Sequence, residues 1–204
     1  METPFLSDFS IVPYFQKGGS LMDKPIEREL KILVREDEFQ TLLKTYAFSK
    51  PWIQTNTYYD SPDQIIKKQG GALRIRTIGT KHILTLKIRK DEITHYELEK
   101  EIDTEDVSKI KDSEITGWFQ EFHIPKDLNQ IAQFTTTRQV YECENAQLCA
   151  DKTVYPTHTD YEIEYEYHRN HDGISEFNQI LSIIGVKYKK NCPSKIARAF
   201  KICE

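Results

Sequence analysis

The chain has 204 residues, a length that fits one large domain or two small ones. Its 28 Lys and Arg are outnumbered by 32 Asp and Glu, and the net charge of −4 argues against a generally basic nucleic-acid binder. Hydrophobic residues make up 38% of the chain, which suffices for a core, and no apolar run approaches the roughly 18 residues of a membrane span. We therefore expect a soluble globular protein with neither nucleic acid nor a membrane as partner.

The four cysteines form no C-x-x-C pair; they are Cys143, Cys149, Cys192 and Cys203. A secreted protein framed by disulfides would be smaller and richer in cysteine. The pattern predicts free thiols in a reducing compartment, and hence a cytoplasmic location.

The first 21 residues lack the hydrophobic periodicity of the rest of the chain, and the sequence Lys-Gly-Gly-Ser at 17–20 is typical of a linker. Met22 stands immediately before a strongly patterned segment. We expect residues 1–21 to be a flexible leader or tag, and residues 22–204 to be a single domain.

From Ile26 onward the hydrophobic period is mostly two, which predicts strands. The eight predicted strands span residues 26–34, 54–59, 72–77, 82–90, 95–103, 134–143, 146–152 and 160–168. Short turns at 78–81 and 90–93 favour an antiparallel order. Helices are predicted at 37–48, within 104–129, at 173–184 and from Pro193, where a proline suits a helix start. Asp112 or Ser113, and Asp172, are candidate helix N-caps.

The charges on the predicted strands lie on one face and are sorted by sign. The third and fourth strands carry basic rows, Arg74 with Arg76 and Lys87 with Arg89, whereas the fifth and eighth carry acidic rows, Glu97, Glu99, Glu101 and Glu162, Glu164, Glu166. An ordinary antiparallel sheet with one solvated face is the default interpretation. The alternative is a closed barrel in which opposed basic and acidic rows face each other, which would relieve the repulsion between like charges two residues apart.

A lumen with both kinds of row has a specific chemistry. Arginine and lysine rows bind phosphate oxygens, arginine in bidentate fashion. Carboxylates at positions i and i+2 supply the hard oxygen ligands that Mg²⁺ and Mn²⁺ prefer. Together they are typical of metal-assisted phosphoryl transfer.

The segment Glu27-Arg28-Glu29-Leu30-Lys31 resembles the E-x-E-x-K signature of the CYTH superfamily, also called triphosphate tunnel metalloenzymes. Alone the pattern is weak, but further elements follow in family order over about residues 26–200: Thr57-Tyr58-Tyr59-Asp60, Leu73-Arg74-Ile75-Arg76, Thr85-Leu86-Lys87-Ile88-Arg89, the Glu97/Glu99/Glu101 row, Arg138, Asp151-Lys152, Glu162-Ile163-Glu164 and Ser194-Lys195. The resemblance implies a β-dominated α+β fold, an eight-stranded antiparallel barrel with a polar, charged lumen and helices packed outside.

The resemblance also implies roles for particular residues. The implied metal ligands are Glu27, Glu29, Glu162 and Glu164, with Asp151, Glu99 and Glu101 where the family places further acidic residues. The implied phosphate-binding residues are Lys31, Arg74, Arg76, Lys87, Arg89, Arg138 and Lys195. Tyr58 and Lys87 look like the catalytic Tyr/Lys pair that thiamine triphosphatases use near the scissile phosphate. Because other cations surround Lys87 in this arrangement, we expect a lowered pKa for its ammonium group.

The activity implied is that of a triphosphatase, a hydrolase acting on phosphoanhydride bonds with Mg²⁺ or Mn²⁺ as cofactor, in a monomer or homodimer. Inorganic triphosphate is the first choice of small-molecule substrate and an organic triphosphate the second. The alternatives are a class IV adenylate cyclase that makes cyclic AMP and pyrophosphate, and a non-catalytic polyphosphate-binding module. The acidic set argues against the last, because anion binding gains nothing from lumen carboxylates. A metal pair at His168 and His171 is less favoured than an ordinary surface turn, because no third ligand lies at a suitable spacing.

Overall fold

The computed structural model describes residues 24–200, so the expectations for residues 1–21 and for Cys203 lie outside the described residues. The eight strands are β1 Ile26–Val34, β2 Trp52–Asp60, β3 Ala72–Ile78, β4 Lys81–Arg89, β5 Thr94–Ile102, β6 Asn129–Glu142, β7 Ala146–Val154 and β8 Thr159–Tyr167. The helices are α1 Glu36–Thr45, α2 Ile65–Lys68, α3 Ser113–Glu121, α4 Gly173–Leu181 and α5 Lys195–Ala199, with 3₁₀ turns at Val107–Lys109 and Ser182–Ile184.

The strands form one closed antiparallel barrel in the order β1-β5-β4-β3-β2-β6-β7-β8. Strand β1 closes it by pairing with both β5 and β8. This is the eight-stranded barrel that the family resemblance implied, and it decides between the two interpretations of the charged rows. A flat sheet with one solvated face is excluded.

The apolar faces of the strands point outward and are covered by helices. On β3, Leu73 and Ile75 are buried, whereas the alternate residues Arg74 and Arg76 line the inside of the barrel. One hydrophobic cluster lies under α1 and α4 and includes Leu30, Phe39, Leu42, Leu148, Ile163, Tyr165, Phe177 and Leu181. A second cluster lies under α3 and includes Leu73, Ile75, Leu84, Leu86, Val107, Ile115 and Ile124. The strands thus alternate apolar-out and polar-in, the reverse of a barrel with a hydrophobic interior.

Several local predictions are confirmed. Asp112 caps α3 by accepting hydrogen bonds from the backbone N–H groups of Glu114 and Ile115, at 3.0 and 3.1 Å. Asp172 caps α4 by accepting from the N–H of Ser175 at 3.2 Å. The β3–β4 hairpin turns at residues 79–80, where Gly79 has a φ of 57° that favours glycine.

The helix boundaries differ from those predicted. The first helix ends at Thr45 rather than at residue 48. The predicted helix 173–184 is α4 followed by a 3₁₀ turn, which ends at Gly185 with its φ of 68°. Pro193 lies outside α5, because the N-cap is Ser194, whose hydroxyl accepts from the N–H of Ala197 at 3.3 Å. The short helix α2 was not predicted.

Strand β6 begins at Asn129, five residues before the predicted start. Its first residues pair with the end of β2 beyond a register shift between Tyr58 and Tyr59. Polar residues occupy much of this extension, which hides the alternation that marks a strand.

Within residues 24–200, no helix is both long and apolar enough to cross a membrane. The three described cysteines are free thiols, as predicted.

Candidate active site in the barrel lumen

The strand order separates most of the charges around the circumference of the lumen, Lys31 on β1 being a cation within the acidic half. Strands β5, β1, β8 and β7 are consecutive neighbours and form this acidic half, with inward-facing Glu97, Glu99, Glu27, Glu29, Glu164, Glu166 and the fully buried Glu162 and Asp151. Strands β4, β3, β2 and β6 form a basic half, with Lys87, Arg89, Arg74, Arg76 and Arg138. The sorting by sign along the sequence thus becomes a sorting across the cavity.

The lumen holds a cavity of about 190 Å³. All seven predicted phosphate-binding residues line it, and so does Tyr58. Four predicted metal ligands also line it, namely Glu27, Glu29, Glu99 and Glu164. Asp151 and Glu162 are paired on the inward faces of β7 and β8, are fully buried and are not among the residues that line the cavity. Glu101 is on the same strand face as Glu99 but is exposed and lies outside the cavity lining, so its placement does not favour a role as a metal ligand.

One ion cluster surrounds Lys87. Its ammonium donates a hydrogen bond to the carboxylate of Glu27 and lies 3.1 Å from a carboxylate oxygen of Glu97. Burial lowers the pKa of Lys87, but the carboxylates of Glu27 and Glu97 outweigh it and raise the pKa above its ordinary value. The predicted lowering of this pKa is therefore wrong, because carboxylates from the acidic half reach Lys87 more closely than the other cations do.

A second ion cluster lies where β6, β7 and β8 meet helix α5. The guanidinium of Arg138 donates to both carboxylate oxygens of Asp151, at 2.8 and 2.7 Å, and also to Glu164. The ammonium of Lys195 lies 2.9 Å from Asp151 and 2.7 Å from Glu164, and it also pairs with Glu162. Burial raises the pKa of Asp151 and of Glu164, but the nearby cations outweigh it and lower both values.

Among the described residues, two groups made only of carboxylates and a histidine have the geometry to hold a hard cation; a third group, Cys149 with Glu164 and Glu166, includes a thiol. In each of the first two, one ligand atom per residue lies within 4.8 Å of the others; these groups are Asp151 with Glu162 and Glu164, and Glu27 with Glu29 and His95. Carboxylate oxygens are the ligands that Mg²⁺ and Mn²⁺ prefer, so the donor sets fit such an ion. In this structure protein cations neutralise both groups, Lys195 the first, and Lys87 and Lys31 the second.

The basic half retains a buried donor, on Arg74, that no acceptor among the described residues satisfies, and an arginine, Arg76, without a carboxylate partner. The Nε atom of Arg74 is buried without a hydrogen-bond partner. Among the described residues no carboxylate lies within salt-bridge distance of Arg76, whose Nε donates to the amide oxygen of Asn56 at 3.2 Å. Burial, together with the charges of Arg74 and Arg138, lowers the pKa of Arg76. Buried donors and an uncompensated positive charge are features of an anion-binding site.

Tyr58 lies beside the arginines of the basic half. It is opposite Arg74 in the β2–β3 register, and its ring stacks on Phe134 with centroids 5.2 Å apart. Strand β3 lies between Tyr58 and Lys87, so the two predicted catalytic residues face the same cavity from separate strands.

Three further ionisable residues in or beside the lumen bear on the site and were not predicted as site residues. Glu166 lines the cavity opposite Glu29, and burial, together with neighbouring carboxylates, raises its pKa to about 8 despite the opposing effect of Arg138. Its place in the acidic row of β8 was a signal that could have identified it. His95 lies two residues before Glu97 on the same strand face, and burial, followed by the charge of Lys87, lowers its pKa.

The third is Arg198, which is buried and pairs with Glu162 at 2.8 Å and with Asp160 at 2.7 Å. It fixes α5 against β8 and so positions Lys195. It comes from a short helix, where no strand alternation marks it, so the sequence carried no comparable signal.

The closed barrel and its two-signed lumen define a triphosphate tunnel fold. Residues 25–200 match the CYTH domain, and the chain belongs to the CYTH family.

Individual relatives agree with this assignment. The Bacillus subtilis (strain 168) protein named "Putative triphosphatase YjbK" is 27% identical over 186 residues, which cover 88% of this chain and 97% of that protein. A crystal structure from Bacillus halodurans, named as a "putative adenylate cyclase", superposes with a TM-score of 0.77 at 26% identity and covers 87% of this chain and 99% of that one. HpAC1 from Hippeastrum, named as a "putative adenylyl cyclase" that "reveals a dominant" triphosphatase activity, superposes with a TM-score of 0.68 at 25% identity, over 85% of this chain and 94% of that one.

Proposed function

We propose that the protein is a divalent-metal-dependent triphosphatase that hydrolyses the terminal phosphate of inorganic triphosphate or, as second choice, of an organic triphosphate. The observation that carries the proposal is the opposition, across one cavity, of a pair of arginines, one with an unsatisfied buried donor, and grouped carboxylates. A site that only bound anions would gain nothing from the carboxylates, and a site that only bound metal would gain nothing from the arginines.

The basic half is the proposed phosphate-binding surface. Arg74 and Arg76 alternate with buried apolar residues on β3, so both guanidinium groups are held by a rigid strand. Their donors suit the oxygens of adjacent phosphates in bidentate fashion. Lys87 and Arg138 extend this surface on either side, and Tyr58 lies beside Arg74, near the proposed scissile phosphate.

The acidic half would hold the metal. Glu27 and Glu29 form one candidate set, and Glu162, Glu164 and Asp151 form the other. A bound Mg²⁺ or Mn²⁺ would supply Lewis acidity, which neutralises phosphate charge and promotes attack by water. The chain's own contribution is to keep Asp151 and Glu164 ionised, since Lys195 and Arg138 lower the pKa of both carboxyl groups against the effect of burial.

The names of the relatives support an enzyme of this class and also a second candidate. YjbK is named for triphosphatase activity, and HpAC1 is named for both adenylyl cyclase and triphosphatase. A class IV adenylate cyclase, which would expel pyrophosphate from ATP, uses the same kind of lumen and is the alternative that the names of HpAC1 and of the Bacillus halodurans protein favour.

A substrate panel tests the proposal. Inorganic triphosphate, thiamine triphosphate and ATP would each be incubated with Mg²⁺ or Mn²⁺, with orthophosphate and pyrophosphate measured separately and EDTA as the metal-free control. We expect orthophosphate release that requires the metal. Pyrophosphate and cyclic AMP from ATP would indicate the cyclase instead. Tight triphosphate binding without turnover in either metal would leave only a binding module.

Other expectations from the sequence stay predictions. These are the cytoplasmic location, the monomeric or homodimeric state, and the organisation of residues 22–204 as one domain.

A further inference from the structure

We propose that His95 is a nitrogen ligand of the divalent cation held by Glu27 and Glu29, and that it biases this site toward Mn²⁺ over Mg²⁺. The inference rests on the proposed metal dependence and adds to it a third ligand and a metal preference. Neither follows from the E-x-E pattern of β1, which supplies carboxylates alone.

The barrel register places His95 beside the two glutamates. His95 is directly opposite Glu27 in the β1–β5 pairing, and residues opposite each other in an antiparallel pair project to the same face. Glu29 follows Glu27 on that face, and all three side chains line the cavity. One ring nitrogen of His95 and one carboxylate oxygen from each glutamate lie within 4.8 Å of one another.

The imidazole also has an unused coordination position. The Nδ1 atom of His95 is buried and has no hydrogen-bond partner. A buried polar atom without a partner is costly, and such atoms are rare unless an ion, a water or a catalytic role accounts for them. Among the described residues neither ring nitrogen of His95 has a hydrogen-bond partner, so a cation bound by the nitrogen that faces Glu27 and Glu29 would give the imidazole a partner and bring the two carboxylates together. Lys87 and Lys31 pair with Glu27 and Glu29 here, and the neighbouring carboxylates are Glu97, which lies 3.1 Å from the Lys87 ammonium, and Glu166, opposite Glu29.

The donor set determines the metal that fits. Mg²⁺ prefers oxygen ligands in near-ideal octahedral geometry and retains several waters. Imidazole suits the transition metals, whereas carboxylates suit both classes. Two carboxylates with one imidazole therefore favour Mn²⁺ over Mg²⁺, and the preference should depend on the histidine.

The test measures metal binding by the full chain without substrate. Mn²⁺-loaded protein would be examined by pulsed EPR for a nitrogen coupling, with natural-abundance and ¹⁵N-histidine-labelled samples. The wild-type chain should show a histidine coupling that changes with the label. The coupling should be lost in His95→Ala and kept in His82→Ala. His82 is the control because its ring lies outside the lumen on β4 and is hydrogen-bonded to the hydroxyl of Thr77.

Titration calorimetry gives the second readout. His95→Ala should weaken Mn²⁺ binding by about tenfold or more while it weakens Mg²⁺ binding much less, since even the loss of an outer partner of a metal ligand costs this much. A merely structural role would weaken both metals equally, and that result would overturn the inference. Mn²⁺ binding to the wild-type chain without any histidine coupling would overturn it too, yet leave the proposed triphosphatase intact. Failure of the wild-type chain to bind either metal would overturn both proposals.

Discussion

Replacement of Lys195 by methionine removes the ammonium group that three buried carboxylates share. The ammonium contacts Asp151, Glu162 and Glu164, and its own side chain is only 10% exposed. Breaking a buried ion pair by removing one partner costs about 3–5 kcal/mol. We expect a loss near the lower end, about 3 kcal/mol, because Arg138 still pairs with two of the carboxylates.

The loss should be measured by urea and thermal unfolding in EDTA. For a domain of this size, about 3 kcal/mol corresponds to a fall in melting temperature of roughly 6–12 °C. Lys190→Met is the matched control, because Lys190 is exposed, and it should unfold as the wild-type chain does.

The variant should also respond more strongly to a divalent cation. Without Lys195 the three carboxylates lack one counter-charge, and an ion that binds only the folded state stabilises it by about 2.7 kcal/mol at a hundredfold excess over its Kd. Mg²⁺ or Mn²⁺ should therefore restore more stability to Lys195→Met than it adds to the wild-type chain. Surface substitutions usually change the free energy of unfolding by no more than about 0.5 kcal/mol. If Lys195→Met in EDTA differs from the wild-type chain by no more than this, the shared ion pairs do not stabilise the cluster.

Three further outcomes follow from the lumen. Glu29→Gln should abolish metal-dependent orthophosphate release in the substrate panel, with little loss of folding. Glu101→Gln, which alters an exposed carboxylate of the neighbouring strand β5, should stay near wild-type activity in that assay. Glu166→Gln should raise the free energy of unfolding in EDTA from about pH 5 to 8. In that range the folded carboxyl with its pKa of about 8 retains a proton that the unfolded one, near 4.5, has lost, so stability falls as pH rises in the parent; an unchanged urea profile would contradict this. Lys87→Arg should leave the alkaline limb of the kcat–pH profile in place, since the raised pKa of Lys87 keeps it protonated there, and a shifted limb would show that Lys87 titrates in that range.

The barrel could be predicted because its strands obey one rule along most of their length. In β3, β4, β5 and β8, charged residues alternate with apolar ones, and the signs of the charges differ between strands. When such strands close into a barrel, the apolar residues can be buried under the helices and the opposite charges can pair in only one arrangement. In that arrangement the charged rows face the inside of the barrel. Arg74, Arg76, Lys87 and Arg89 therefore fall on the cavity wall together, whereas Lys195 reaches the same wall from helix α5.

Features that depend on pairing across the barrel could not be predicted. The pKa of Lys87 depends on Glu27, sixty residues away in sequence, which reaches it from another strand. The helix α2 has only four residues, too few for a periodic pattern, and the carboxylate of Asp60 holds its start by accepting from the N–H groups of Ile66 and Lys67. Arg198 acts through a long-range pair with Glu162, which no local signal marks.

On the proposed function, a triphosphate binds in the lumen between the basic and acidic halves. The most direct measurement is a crystal structure of the full chain with Mn²⁺ and a non-hydrolysable imido analogue of triphosphate, with the metal located by its anomalous signal. We expect phosphate oxygens within hydrogen-bond distance of Arg74 and Arg76, including the unsatisfied Nε of Arg74, and Mn²⁺ among the carboxylates of the acidic half. An analogue bound outside the barrel, with Arg74 Nε still unpaired, would rule out triphosphate binding in the lumen.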